Sequence, residues 1–149
     1  MSKTLNVELP SELMHRLRHA GSRPVIVATV SDSGEPNSAP ISWIVARNAH
    51  TVRFAVTHNT ETLRNLRANG RVSITVLGSG LAMSVGGRAR IVKDIMTSVP
   101  FPTALIEVEV EQVKDDGELR TGPQDEDEVA WSKRRASLSD ARVESELLD

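Results

Sequence analysis

The stretch TALIEVEVEQVKDD constrains the fold most. In it Ile106, Val108 and Val110 alternate with Glu107, Glu109 and Glu111. A period of two puts the apolar set on one face of an extended chain and the carboxylates on the other. Such a strand needs a sheet with one dry face and one wet face. The signature recurs in TVRFAV, where Val52, Phe54 and Val56 alternate with Arg53 and Ala55, and in RVSITVL, where Val72, Ile74 and Val76 alternate with Ser73 and Thr75. RPVIVATV is a β-branched run, and the turn cluster SDSGEP joins it to NSAPISWIVA as a hairpin. In AMSVGGRARIVKD, Gly86 and Gly87 in mid-strand predict a bulge or a tight barrel corner, and PFP then breaks the chain. The six strands have hairpin-scale links. They predict a mainly β fold, a six-stranded antiparallel barrel with short peripheral helices, because closure removes the edges that short strands expose.

Helical spacing interrupts this pattern. LPSELMHRLRHAG places Leu9, Leu13 and Leu17 on one face, with Pro10 and Ser11 as start signals and Gly21 as a stop. THNTETLRNLRANG is a short helix inserted between two strands. Asn59 and Thr60 are favoured N-cap types, Leu63 and Leu66 share a face, and Gly70 stands where a left-handed C-cap would go. After Asp115 the chain turns acidic at DDGELRTGPQDEDE. EVAWSKRRASLSDARVESELLD then predicts one or two peripheral helices, with Val143 and Leu147 spaced to dock an apolar edge. The expected organisation is a barrel domain over residues 1–115 with its N-terminal helix, and an acidic linker and helical extension over 116–149 packed on the same domain.

Composition removes several function classes. The chain has 149 residues, a formal charge of −2 and no cysteine. Disulfides and thiolate metal sites are excluded, and no basic footprint suggests nucleic acid. Neither a membrane-length apolar run nor a signal-peptide pattern is present, so a cytoplasmic address is expected. His15 and His19 stand four apart, but no third ligand joins them nearby, so no metal site is expected. Ser42 and His58 form no nucleophile, base and acid pattern, and no Gly-rich nucleotide motif is present. Trp43 is either strand packing or a wall for a planar ring.

Three segments in order, PVIVATVSDSGEPNSAPISWIVA, VRFAVTHNTETLRNLRANGRVSITV and SVGGRARIVKD, resemble the flavin-binding split barrel of the pyridoxamine 5′-phosphate oxidase-like superfamily over roughly residues 22–115. The resemblance implies an FMN-binding, hydride-transferring barrel that dimerises, with the cofactor in a groove shared with a second subunit and a small molecule as substrate. It implies that the ring lies along backbone from Ala39, Pro40, Ile41, Ser42 and Trp43 and from Ala55, Val56 and Thr57. It also implies that the phosphate lies at the start of the inserted helix, facing Thr60 and Thr62. The residues agree, since a helix N-terminus presents unpaired N–H groups and a positive dipole end, and Thr57, Asn59, Thr60 and Thr62 supply donors there; His58 borders the pocket, either as a donor to flavin or substrate or as a surface-loop histidine. Relatives often carry an Arg-Lys pair where this chain has Glu61 and Thr62, and Arg53, Arg64 or Arg88 is the candidate replacement. No catalytic acid or base is identified. The open readings are an FMN-dependent oxidoreductase, a deazaflavin-dependent reductase, and a non-catalytic flavin- or ligand-binding dimer for storage, sensing or electron relay, in which no cofactor need be bound.

Overall fold

The computed structural model describes residues 3–4, 7–21, 23–78, 80–116 and 138–148. Among the described residues, eight strands and three helices follow one another: β1 (Lys3–Thr4), α1 (Ser11–Arg16), β2 (Val25–Val30), β3 (Pro36–Ile41), β4 (Ile44–Asn48), β5 (Thr51–Thr57), α2 (Glu61–Ala68), β6 (Arg71–Gly78), β7 (Leu81–Lys93), β8 (Thr103–Asp115) and α3 (Leu138–Leu147). The main path is β3-β2-β6-β7-β8-β5-β4, with the two-residue β1 added on β8. Every pairing is antiparallel.

The predicted count of six strands is corrected by the segment NSAPISWIVA. It is two strands, because its first half pairs with β2 and its second with β5. The switch occurs at Ser42 and Trp43. The Ser42 carbonyl accepts from Gly21 N–H at 2.8 Å and from Ile44 N–H at 3.0 Å, and the Trp43 carbonyl accepts from Ala55 N–H at 2.9 Å. This joint also forces the sheet to curl. A flat path of seven strands would hold its edges about 29 Å apart, at about 4.8 Å per strand. The edges β3 and β4 are joined by three Cα steps from Ile41 to Ile44, which reach at most about 11 Å. The sheet is therefore rolled until its edges approach, and no ladder closes the seam between β3 and β4. That is a split barrel.

Inward residues of the alternating strands fill the barrel: Val25, Val27, Val52, Ile74, Val76, Val85, Ile106, Val108 and Val113 are at most 1% exposed. Leu9, Leu13 and Leu17 of the N-terminal segment join the same core. The double glycine is the expected bulge. Val85 and Gly86 face Val113 and Gln112, but Gly87 faces Val110, so Glu111 is an extra residue on β8. Gly87 is needed because a Cβ there would lie 2.2 Å from the Glu109 carbonyl oxygen.

The predicted left-handed cap at Gly70 is not found. Asn69 caps α2 in an extended conformation, and Gly70 is absent from the positive-φ residues. Its glycine serves a close approach: a Cβ would stand 2.6 Å from the Ala89 carbonyl oxygen, and that same backbone contact includes Ala89 N–H donating to the Gly70 carbonyl at 2.7 Å. In α3, Val143 and Leu147 are 54% and 79% exposed rather than docked. Residues 117–137, most of the acidic linker and the first part of the expected helical extension, lie outside the described residues. No helix among the described residues is long and apolar enough to cross a membrane.

Candidate functional site

The outer face of β4, β5 and β8 carries an apolar groove of about 640 Å³. Val45, Ala55 and Leu105 form its floor, and the loop between β7 and β8 forms one wall through Met96, Val99 and Phe101. Trp43 stacks on Phe101 with ring centroids 6.3 Å apart and planes inclined by 17°. The chain holds only two Trp and two Phe. Spending one of each, half-exposed, on a single groove wall argues for a surface that receives something rather than for core filling.

The wall is pinned in place. His58 Nε2–H donates to the Asp94 carbonyl at 2.8 Å, and Arg67 pairs with the Asp94 carboxylate. His58 N–H donates to the Pro102 carbonyl at 3.1 Å and Met96 N–H to the Thr103 carbonyl at 2.8 Å. The ring donor of His58, one of whose two open readings is a contact to flavin or substrate, holds this loop instead.

Of the residues singled out from sequence, the groove collects Trp43, Arg53 and Ala55. Ile41 and Val56 point into the core, at 8% and 4% exposure, and can offer only backbone. Ala39 and Pro40 lie on β3, which pairs with β2 at the other edge of the path, and Ser42 is the exposed joint. Thr57, at the end of β5, leads into α2.

The start of α2 is built for capping. Asn59 adopts a left-handed φ of 63°, which Asn tolerates better than most residues. The Thr60 hydroxyl donates to the Thr57 carbonyl at 2.9 Å and accepts from Leu63 N–H at 3.2 Å. Thr62 is 2% exposed, and its hydroxyl accepts from Asn37 Nδ2 at 3.2 Å. Asn65 and Thr29, both buried, bond at 3.0 Å and with Leu63 and Leu66 seat the helix on the barrel. A phosphate here would meet backbone N–H groups of the first turn rather than the hydrogen of Thr60. Glu61, positioned to repel an anion, is ion-paired with Arg64 one turn on.

None of the three candidate arginines stands free at this helix end. Arg64 is paired with Glu61, Arg88 lies 4.0 Å from Glu111, and Arg53 bonds Glu107 at 2.7 Å. Glu107 is the centre of a cluster the sequence did not disclose, since Arg90 reaches it at 2.8 Å and Arg47 at 3.3 Å. The Arg53 hydrogen bond holds the Glu107 carboxyl below the usual carboxylate range, with Arg90 adding to the effect and burial opposing it.

Residues 13–117 match the sequence profile of pyridoxamine 5′-phosphate oxidase. No curated protein matches the chain in sequence. A solved structure from Lactobacillus delbrueckii, a candidate pyridoxamine 5′-phosphate oxidase, is 19% identical with a TM-score of 0.64, over 74% of this chain and 98% of that one. An FMN-binding protein from Syntrophomonas wolfei is 19% identical with a TM-score of 0.54, over 70% and 86%. The heme storage protein HutZ from Vibrio cholerae is 18% identical with a TM-score of 0.55, over 71% and 93%. At these identities the structures share the fold with this chain.

Proposed function

The chain belongs to the pyridoxamine 5′-phosphate oxidase family, and from that premise we propose that it binds FMN, or a deazaflavin of the same shape, as an oxidoreductase acting on a small molecule. The observation that carries this reading is the groove: an apolar floor, a stacked Trp43–Phe101 wall and a volume of about 640 Å³, within the range of small-molecule sites. Its shape suits a flat, largely apolar ring. Heme, the cargo of one structural neighbour, is less well served, because no histidine lines the groove among the described residues to ligate iron.

Bound FMN would supply the hydride-accepting or hydride-donating ring. The chain would orient it. Ala55 and Val45 leave room over the sheet, Trp43 and Phe101 hold one side of the ring, and the first-turn N–H groups of α2 receive the phosphate. Hydride transfer needs no side-chain acid or base, which accords with a groove in which, among the described residues, Arg53 is the one ionisable group of the lining. A second copy of the chain completes the site in this reading. The exposed Trp43 and Phe101 support that, as a stacked pair of large apolar side chains that a partner would dry.

Titration of FMN and of a deazaflavin against the wild type and Trp43→Ala, read by quenching of ligand fluorescence, tests the reading. Saturable binding that weakens several-fold in the variant supports it; no binding of either ligand to the wild type overturns it. Oxidation of reduced nicotinamide by the loaded protein separates an enzyme from a carrier, and sedimentation velocity reads the dimer.

A further inference from the structure

Asn69, between α2 and β6, closes a clasp on a part of the chain far from it in sequence. Its side-chain amide donates to the Val30 carbonyl at 2.9 Å and to the Asp32 carboxylate at 3.2 Å, while its side-chain oxygen accepts from Arg71 N–H at 3.1 Å. Two further bonds tie the same helix to the same hairpin, Asn65 to Thr29 and Asn37 to Thr62. The β2–β3 hairpin is thus held on α2 along one polar seam, and Asn69 fastens the end nearest the hairpin turn.

The next residue makes this amide reactive. Gly70 has no side chain to shield its N–H, and among the described residues that N–H makes no hydrogen bond. Its nitrogen, on losing the proton, is a nucleophile within ring-closing reach of the Asn69 amide carbon. The fold cannot exchange this glycine for a bulkier residue, since a Cβ would stand 2.6 Å from the Ala89 carbonyl oxygen. In the folded chain the clasp prevents the attack. Asn69 is extended, with φ −154° and ψ 159°, whereas ring closure needs its Cβ and the Gly70 nitrogen nearly eclipsed about the Cα–C bond. Turning the side chain onto that nitrogen also pulls it from its three partners.

We propose that Asn69 is a self-modification site, guarded by its own hydrogen bonds and converted irreversibly in molecules whose hairpin has lifted from α2. The Gly70 nitrogen bonds to the Asn69 amide carbon, the C–N bond to the side-chain nitrogen breaks and ammonia leaves. Water then opens the cyclic imide to an aspartate or an isoaspartate. One water is consumed and nothing is oxidised or reduced. The clasp cannot close again on the product. An acid at position 69, ionised at neutral pH, has no hydrogen for the Val30 carbonyl, and its carboxylate would face that of Asp32 across a contact that is 3.2 Å in the unmodified chain. The turn from Ser31 to Glu35 adds a second carboxylate, Glu35, and no basic residue. None of this needs a bound flavin.

The full chain is incubated at mildly alkaline pH, folded and in denaturant. Conversion of Asn69 is followed by peptide mass spectrometry, and isoaspartate is counted by enzymatic methylation. Asn69 should convert in the unfolded chain and at least about tenfold more slowly in the folded one, because three bonds of modest net strength must break first. Denaturant unfolding of Asn69→Asp, Asp32→Asn and the double variant then tests whether the product is rejected. Asn69→Asp should lower the ratio of folded to unfolded chain about tenfold, and Asp32→Asn alone should change it by less than about twofold. Adding Asp32→Asn to Asn69→Asp should recover about threefold of the loss, since it removes the facing charge. No conversion at Asn69 in the unfolded chain, equal rates in the two states, an Asn69→Asp chain as stable as the wild type, or a loss that Asp32→Asn does not relieve overturns the proposal. The rate comparison uses the unaltered chain, so it decides even where a variant does not fold.

Discussion

Gly86 and Gly87 are adjacent in sequence, and the barrel treats a methyl group at the two positions oppositely. A Cβ on Gly87 would stand 2.2 Å from the Glu109 carbonyl oxygen and 2.8 Å from Val108 Cγ1, whereas on Gly86 the nearest atom is Gln112 Oε1 at 3.8 Å. The first contact is with backbone, roughly 1 Å inside ordinary separation, and backbone within a paired ladder cannot swing aside. Overpacking of this kind costs about 1–3 kcal/mol, and the rigidity of the partner places Gly87→Ala at the top, about 3 kcal/mol. For a chain of this size that lowers Tm by roughly 6–12 °C. Gly86→Ala should change stability by no more than about 1 kcal/mol, with a stabilising sign if the lost freedom of the unfolded chain dominates. Thermal unfolding followed by circular dichroism compares the three proteins directly. Equal Tm values for the two variants would refute the reasoning. The contrast bears on the site as well. The extra residue Glu111 sets the register in which Arg90 lies across from Glu107, and a slip by one residue would turn Arg90 to the opposite face.

Leu13→Ala, at a position with 0% exposure, should destabilise by about 2–5 kcal/mol in denaturant unfolding if α1 is part of the barrel core; a loss under about 1 kcal/mol would detach it from that core. Thr60→Ala removes the α2 cap and should cost about 1 kcal/mol of stability, while FMN affinity shifts by less than about threefold because the hydroxyl hydrogen already serves Thr57. A loss of affinity beyond tenfold without loss of stability would return the hydroxyl to the ligand. Glu107 has a native pKa held below its ordinary 4.5 by Arg53 first and then Arg90, so its contribution to stability is present above 4.5 and is lost as pH falls through the native value. The Tm gap between wild type and Glu107→Gln should therefore be full at neutral pH and shrink in acid; a gap independent of pH would show that the carboxylate charge does not matter.

The parts of this molecule that sequence discloses are those fixed by neighbours within a few residues. Alternation identified the inward faces of β5, β6 and β8, and the double glycine marked the bulge, because both are properties of a single strand. APISWIVA hides its joint since both halves are apolar and extended; only the identity of the partner strand divides them, β2 for one and β5 for the other. Gly70 misleads in the same way. It stands where a helix ends, but the demand it meets comes from Ala89 on β7. The arginine cluster is the extreme case. Arg47, Arg53, Arg90 and Glu107 come from four strands, and each alone reads as a charge on a wet face. Phe101 was legible only as part of a chain break, although the scarcity of aromatic residues gave a usable signal: with four in the chain, one next to Pro100 in a loop has no core to fill and needs a partner. Local pattern thus locates the barrel and the helix that interrupts it, while the groove and its charges are created by register. Register in turn depends on Gly87, whose missing side chain touches no ligand, and on the backbone of the Ser42–Trp43 joint, which places the groove's own tryptophan.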